Sequence, residues 1–489
     1  MAEIIGAETE TRGKLKAIAS GTLSNGDTVV VNSDGTVSAV GGSSVSGSTG
    51  TPQTFYSAEA TKTCVVYDSG NDKIVVAYRD GANADTSRAV VGTISGTTVS
   101  FGTPVQFSSD NCFQDFKMAY DSTNGKIVIV WAPSTSPYPV RAIVGTVSGT
   151  SISFGTQVNV FAGYAAGGGS SIPRVVYDST NNKVVVLYRD ESASGQGKAV
   201  VGTISGTSIS FGSVGTFNSS NTYDIDAAFD SGNGKVFIAF RDIGNSNYGT
   251  GIVGTVSGTS ITFGTKVVFE SAEATEITTC YDSANGKVAA FYQDAGNSQY
   301  GTYVVGTVSG TSVSFGTPAV IASARREKMS AAYNAVTGKI TISWKNGSVL
   351  DSGYLNNGTI SGTTMTFDTA YQIETGQFLH NVTAAAGSVT VTSYTDGGNS
   401  NYGKVVVDQQ NYTSTNITAT NFIGISSTTV ADTETATIDI IGTTNNAQSG
   451  LTAGQKYYVQ NDGTLSTTAG DPSVLAGTAL SATKIVVKT

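Results

Sequence analysis

The sequence predicts an all-β protein: a seven-bladed β-propeller inserted into a small β domain that is split between the two termini. Three observations lead there. The composition is short of helix formers, with 10 leucines against 59 glycines in 489 residues. A repeat of roughly 50 residues runs through most of the chain, and a period of that length marks stacked or circular arrays of one supersecondary unit. The two ends, outside the repeat, carry matching hairpin sequences. Charged residues make up only 13% of the chain, about half the usual share. Val, Ile, Phe and Tyr are plentiful enough for ordered cores, which excludes global disorder.

The repeat has two recurring elements. VGT-[VI]-SGT-x-[VI]-[ST]-FG places its phenylalanine at Phe101, Phe154, Phe211, Phe263 and Phe315, with a looser copy at Phe367; the spacings are 53, 57, 52, 52 and 52 residues. The second element, YDSGNDKIVVAYRD from Tyr67, returns at Tyr120, Tyr177, Phe229, Tyr281 and Tyr333, and in degenerate form in VTAAAGSVTVTSYTD from Val382. Each unit reads as four strands. The second of them is almost continuously apolar in most copies (IVVAY, IVIVW, VVVLY, VFIAF), as suits a strand covered on both faces. Packing of four-stranded blades face to face supplies that cover. Residues 44–411 number 368, and 368 divided among seven units is about 52.6 each.

The seventh unit lacks a fourth strand, because GKVVVDQQNYTSTN after Gly403 never reaches an SFG element. That strand is expected at the other end of the ring. GTPQTFYS at residues 50–57 matches GTPVQFSS at residues 102–109, so an orphan fourth strand begins the array and completes its last blade. Closure of this kind satisfies two edges that would otherwise be open to pairing.

The expected domains are residues 1–43 and 412–489, two parts of one anchoring β domain, and residues 44–411, the propeller. GDTVVVNSDGTVSA from Gly26 aligns without gaps on GQKYYVQNDGTLST from Gly454, each a strand–turn–strand centred on a DG turn. VLAGTALSAT follows the second hairpin shortly, whereas the similar NFIGISSTT follows the first only at Asn421. The propeller occupies that connection. In a meander blade the DSxNG and SGT turns share one face and the long, varied connections share the other. Both links to the terminal domain fall on the uniform face, so the varied face is expected to point away from that domain and to carry recognition.

The charge balance, 27 Lys and Arg against 36 Asp and Glu, gives a net charge of −9 with no long basic stripe. Nucleic acid and anionic membranes therefore lack an electrostatic warrant as partners. AEIIGAETETRGK after Met1 lacks the basic start and apolar stretch of a secretory signal, and no apolar run approaches a membrane span. The expectation is a chain made and used without membrane export. Cys64, Cys112 and Cys280 have no metal-ligand spacing and read as buried free thiols.

Catalytic signals are weak. Arg79-Asp80, Arg189-Asp190 and Arg241-Asp242, with Asp294 and Asp396 in the same slot, recur around the ring and are assigned to turns and inter-blade pairing. The DSxNG turns read as side-chain-capped hairpins rather than calcium loops, since no third carboxylate follows at ligand spacing. His380 is the only histidine and reads as a surface or satisfied residue; no nucleophile elbow, Walker motif or Asp-box is present. No metal or cofactor is expected. Asp115, Asp224, Glu191, Glu273 and Glu327 fall on the varied face, where two carboxylates could serve glycoside hydrolysis but solvated loop acids are the simpler reading. Arg325, Arg326 and Lys328 form the one local basic cluster, again read as a solvated loop. The ligand-binding candidates are Trp131, Tyr138 and Trp344, the two tryptophans of the chain and a tyrosine among three prolines, because an aromatic plate can stack on a sugar; packing under the neighbouring loops is the competing explanation for them.

GTLSNGDTVVVNSDGTVSAV near the start, with NFIGISSTTV and SGLTAGQKYYVQNDGTLSTTAGDPSVLAGTALSATK near the end, resembles the flanking segments of virion structural proteins of tailed phages, particularly those of marine and cyanobacterial hosts. The VVVNSDGTV and FIGI arrangement is also distantly similar to phage head-decoration domains. The resemblance covers about 100 terminal residues and supplies no catalytic residue. It implies a tail-fibre or capsid-surface protein, assembled in the host cytoplasm and located on the virion surface. The expected partners are other virion proteins of capsid or tail, a host-surface glycan, and further copies of the chain on the particle. The expected function is non-enzymatic: attachment through the terminal domain and display of the propeller to the host. A decoration protein without host contact and a phage-borne polysaccharide depolymerase are the alternatives.

Overall fold

The computed structural model describes residues 13–42, 44–112, 114–165, 172–347, 349–413, 415–470 and 472–488. Among them the chain is all-β, and the only helical elements are three short 3-10 turns, Glu191–Ala193, Ile243–Asn245 and Ala295–Asn297. The chain divides into two compact bodies: a repeat body, Gly47–Gln410, and a terminal body, Met1–Ser46 with Asn411–Thr489.

In the repeat body each repeat is an antiparallel meander. In the fourth, residues 222–230 pair with Lys235–Asp242, which pairs with Tyr248–Ser257, which pairs with Ser260–Phe263 and then with the start of Val267–Asp282. The first strands lie side by side in chain order: residues 60–68, Lys117–Asp121, Arg174–Asp178, residues 222–230, residues 274–282, Glu327–Asn334 and Phe378–Ala386. Phe378–Ala386 in turn lies against residues 60–68, so these inner strands form a closed ring. The last repeat takes its outer strand from the start of the array. Thr49 pairs with Asp408, Gln53 with Val405 and Thr54 with Lys404, which leaves no free edge at the seam.

The near-continuous apolar second strands follow from this packing. Successive side chains of a strand point to opposite faces, so each second strand feeds two cores. Val236, Ile238 and Phe240 pack with Val185 and Leu187 of the third repeat, whereas Phe237 and Ala239 pack with Val288, Ala290 and Tyr292 of the fifth. The seam between the sixth and last repeats is built differently. Its apolar cluster is small, Leu355, Phe378, Tyr394 and Val406, and a buried polar network fills the remainder. Thr341 donates to Asn357 Oδ1 at 2.7 Å, Asn381 and Thr383 donate to Ser343 Oγ at 2.7 and 2.8 Å, and Asn357 donates to Asp408 Oδ2 at 3.1 Å.

The repeated motifs have mechanical roles. In YDSGN, Asp68 Oδ1 accepts from the backbone amides of Gly70 and Asn71 at 3.1 Å, and Oδ2 accepts from Asn71 Nδ2 at 2.8 Å. Asp121, Asp178 and Asp282 hold their turns by the same set of contacts. The aromatic residue before the aspartate reaches the neighbouring repeat: the amide of Gly70 donates to Tyr120 Oη at 3.1 Å, and that of Gly232 to Tyr281 Oη at 3.2 Å. The glycine of SFG is needed for close approach. A Cβ on Gly102 or Gly212 would run into the carbonyl oxygen of Thr150 or Thr259 in the SGT turn of the next repeat. The sixth repeat has Asp368 at this place, and the last repeat has no SGT turn for it to approach.

The terminal body contains two five-stranded sheets of one topology. The first runs Lys14–Ile18, Thr435–Asp439, Phe422–Ser426, Thr28–Val31, Val37–Ala39; the second runs Thr444–Asn445, Lys484–Val487, Val474–Ser481, Lys456–Val459, Leu465–Ser466. Thr28–Val31 thus finds its partner Phe422–Ser426 on the far side of the repeats in sequence. The two DG turns match in detail. Thr36 N and Oγ1 donate to Asp34 Oδ1 at 2.9 and 2.6 Å, and Thr464 N and Oγ1 donate to Asp462 Oδ1 at 2.9 and 2.6 Å. Gly35 and Gly463 have φ of 85° and 82°, a region glycine enters without steric cost. Val30, Phe422 and Ile425 share a core with Tyr457, Val459, Val474 and Ile485.

Candidate functional site

At the ends opposite the DSxNG turns, the inner strands surround a cavity of about 280 Å³. One sequence column supplies much of its wall. Five residues before the YD aromatic stand Lys62, Asp115, Ile172, Asp224, Glu276 and Lys328, and His380 holds the same place in the last repeat; all seven line the cavity. Lys62, Asp224, Glu276, Lys328 and His380 have left-handed backbone, with φ between 47° and 58°. In each of these five repeats the strand pairing shifts register at this point, as between Thr61 and Cys64 or between Leu379 and Val382. A bulge of this kind re-aims a side chain, and here it brings the column to the axis of the ring.

The cavity is densely charged, and its acids are matched. His380 Nδ1 lies 2.9 Å from Asp115 Oδ1, and Lys62 Nζ lies 3.8 Å from the same oxygen. Arg241 Nε is 2.8 Å from Asp224 Oδ2, and Lys328 Nζ is 2.7 Å from Glu276 Oε1. Burial works to raise the Asp115 carboxyl, but His380, Lys62 and Lys117 overcome it and hold the group well below the usual carboxylate range. Asp224 moves the other way, raised by burial against the pull of Arg241. Arg174 Nε donates to Asp226 Oδ1 at 2.9 Å and Nη1 donates to the carbonyl of Ile172 at 3.3 Å. Lys117 stands beside Arg174; burial, and then the guanidinium, lower its pKa.

The aromatic candidates lie elsewhere. Trp131 has no exposed surface and packs edge-on to Phe107 in the core between the first two repeats. Trp344, 4% exposed, stacks on Tyr354 and lies under the Arg326 guanidinium, 3.7 Å from the ring centre. Neither indole presents a face to a ligand in this structure. They end second strands, and second strands are buried on both faces, so an aromatic there completes a core. Tyr138 is half-buried against the Tyr164 ring. The structure does not bring the three together at the cavity.

The basic cluster disperses in the same way. Arg325 pairs with Glu327 at 2.8 Å, Lys328 turns to Glu276, and Arg326 is 5% exposed; burial lowers its pKa to about 10. Of the five acids, Asp115 and Asp224 enter the cavity instead of lying in solvated loops. Glu191 pairs with Arg189, Glu273 with Arg241, and Glu327 with Lys345 at 2.6 Å. The recurring Arg-Asp residues pair mostly inside their own repeat, as Arg79 with Asp85 and Asp242 with Lys266; between repeats, the Tyr223 ring carries both Arg189 and Arg241. Cys64, Cys112 and Cys280 are buried free thiols.

No protein-family model and no curated protein matches the chain. Among solved structures, the BP39L lectin from Burkholderia pseudomallei has a TM-score of 0.56 at 9% identity, covering 73% of this chain and 98% of the lectin. A mutant of AofleA from Arthrobotrys oligospora has a TM-score of 0.39 at 12% identity, covering 66% of this chain and 88% of that one. The first likeness is one of fold, to a β-propeller.

Proposed function

We propose that the chain is a non-enzymatic surface protein of a tailed-phage virion that binds a glycan of the host envelope. Its repeat body is a seven-bladed propeller, its terminal body a duplicated β domain split by the propeller and attached to the particle, and its glycan site the central cavity. One observation carries the binding reading: a single structural column brings two lysines, three carboxylates, an isoleucine and a histidine into the cavity (Lys62, Asp115, Ile172, Asp224, Glu276, Lys328, His380), while the scaffold around it is repeated. A site built from convergent, unlike polar groups in a concavity is what small-ligand recognition requires. The lectin likeness supports the fold and agrees with a sugar as ligand, though a fold alone assigns no site. The terminal segments, with their resemblance to virion proteins, support placement on a particle.

The depolymerase alternative draws on one feature: Asp115 is held ionised while Asp224 is pushed toward its neutral form, and carboxylates driven apart in this way can divide acid and base roles. Both are engaged by cations, which favours binding. Antibody labelling of purified particles, with incubation of the protein on host envelope polysaccharide, tests the proposal. Label on the virion surface and retention of polysaccharide without release of reducing ends are expected. Unlabelled particles contradict the virion role, and released reducing ends contradict the non-enzymatic one.

A further inference from the structure

Not every cation at the cavity is in contact with a carboxylate. Lys62, Arg174 and Lys328 each have a carboxylate partner, respectively Asp115, Asp226 and Glu276, and Lys345 has two, Glu327 and Asp351. The lining acids Asp115, Asp224 and Glu276 are all taken up by these pairs or by Arg241. Lys117 makes no hydrogen bond and no ion pair among the described residues, although its ammonium shares the cavity with the Arg174 guanidinium. Arg174 uses Nε and Nη1 on Asp226 and Ile172 and has no partner for Nη2 among the described residues. Asp226 cannot turn to Lys117 without loss, because its other oxygen accepts from Thr279 N at 2.7 Å and from Thr279 Oγ1 at 3.2 Å.

Lys117 is half-buried and feels Asp115 and Asp226 only without direct contact, and an ammonium drawn out of water is costly unless paired at close range. A ligand anion placed between Lys117 and the free edge of Arg174 removes that cost and gains charge-assisted hydrogen bonds. Lys117 Nζ and Arg174 Nη2 are two donors left without a hydrogen-bond partner among the described residues, which suits the two oxygens of a carboxylate. The rest of the wall suits hydroxyls: carboxylates at Asp115, Asp224 and Glu276 to accept, and the Asn381 side chain beside them. The volume, about 280 Å³, is just under the roughly 300–1,000 Å³ of drug-sized sites, and so fits one sugar residue. We infer that the cavity binds an acidic sugar residue, its carboxylate held by Lys117 and Arg174 and its hydroxyls by the ring of inner-strand acids. This rests on the glycan-binding reading and sharpens it to a class of sugar.

Saturation-transfer NMR on the full chain tests it. The probes are methyl glucuronide, methyl galacturonide and the methyl glycoside of N-acetylneuraminic acid, alongside methyl glucoside, methyl galactoside and inorganic phosphate. At least one acidic glycoside is expected to bind, more tightly than its neutral counterpart and than phosphate. Lys117→Met is expected to weaken it roughly ten- to hundred-fold, as for loss of a hydrogen bond to a charged group, and Lys117→Arg to restore much of it; unchanged melting temperatures show that the variants fold. Neutral glycosides binding as well as acidic ones, or acidic binding indifferent to Lys117→Met, overturns the inference and leaves the glycan reading standing. Phosphate binding tighter than any sugar overturns it in favour of a simple anion site. Absence of all sugar binding overturns both.

Discussion

The two ends of the inner strands obey opposite rules. At one end the repeats agree: a buried aspartate caps a DSxNG turn, and a tyrosine from the next repeat seals it. At the other end the residue varies among lysine, carboxylate, isoleucine and histidine, and in five repeats a bulge turns it into the cavity. The turn end needs uniformity because each repeat must fit its neighbours on both sides, down to a glycine that leaves no room for a methyl group. The cavity end is free of that constraint, since its side chains face open space. On the proposed glycan-binding reading, stability and recognition lie at opposite ends of one strand, and a substitution should disturb one without the other.

The largest effect is expected away from both ends. Trp131→Ala empties a fully buried site in the core between the first two repeats and should lower stability by about 3–5 kcal/mol, read by denaturant unfolding, with sugar binding by the folded fraction unchanged. Lost binding in a folded Trp131→Ala protein would return that residue to the ligand site. At the turn end, Asp230→Ala removes the acceptor for the Asn233 amide and side chain, at 3.0 and 2.8 Å, and should cost about 1–3 kcal/mol with no change in binding. At the cavity end, replacing Glu276 and Lys328 together by methionine deletes an ion pair whose lysine is largely exposed. Stability should move by less than about 1 kcal/mol, while sugar affinity falls.

The smallest effect is a pH dependence. Asp115 has a folded-state pKa below its unfolded value, which is about 3.9, so its contribution to stability is complete above that value and is lost as pH falls toward the folded one. The stability gap between the native protein and Asp115→Asn should therefore narrow as pH falls below about 4. A gap that widens as pH falls below about 4 would show that the His380 and Lys62 contacts do not hold the carboxylate ionised.

The contrast between the two ends also explains what could be read without coordinates. Uniform features announce themselves by recurrence: the SFG and YDS elements, the match of residues 50–57 to residues 102–109, and the paired DG turns. The structure pairs Gln53 with Val405 and gives Asp34 and Asp462 the same contacts. The cavity column is hidden because its residues share a position but no single residue type. Its only signal is a constant offset of five residues from the YD aromatic. Trp131 and Trp344 mislead for the opposite reason: they are rare, and rarity in a repeated sequence resembles function, yet a strand buried on both faces turns a rare aromatic into core. The polar seam has its own trace, in Thr341 and Ser343 of KITISW and Thr390 and Thr392 of VTVTSY, where other repeats have Val, Ile, Leu, Phe or Ala.

The most direct test of the division between the two ends is a crystal structure of the full chain soaked with the tightest-binding acidic glycoside. The account predicts one sugar residue in the central cavity, with its carboxylate within hydrogen-bonding distance of Lys117 and Arg174 and the DSxNG turns unchanged. Sugar bound at the turn end or between repeats, with the cavity empty, would contradict it.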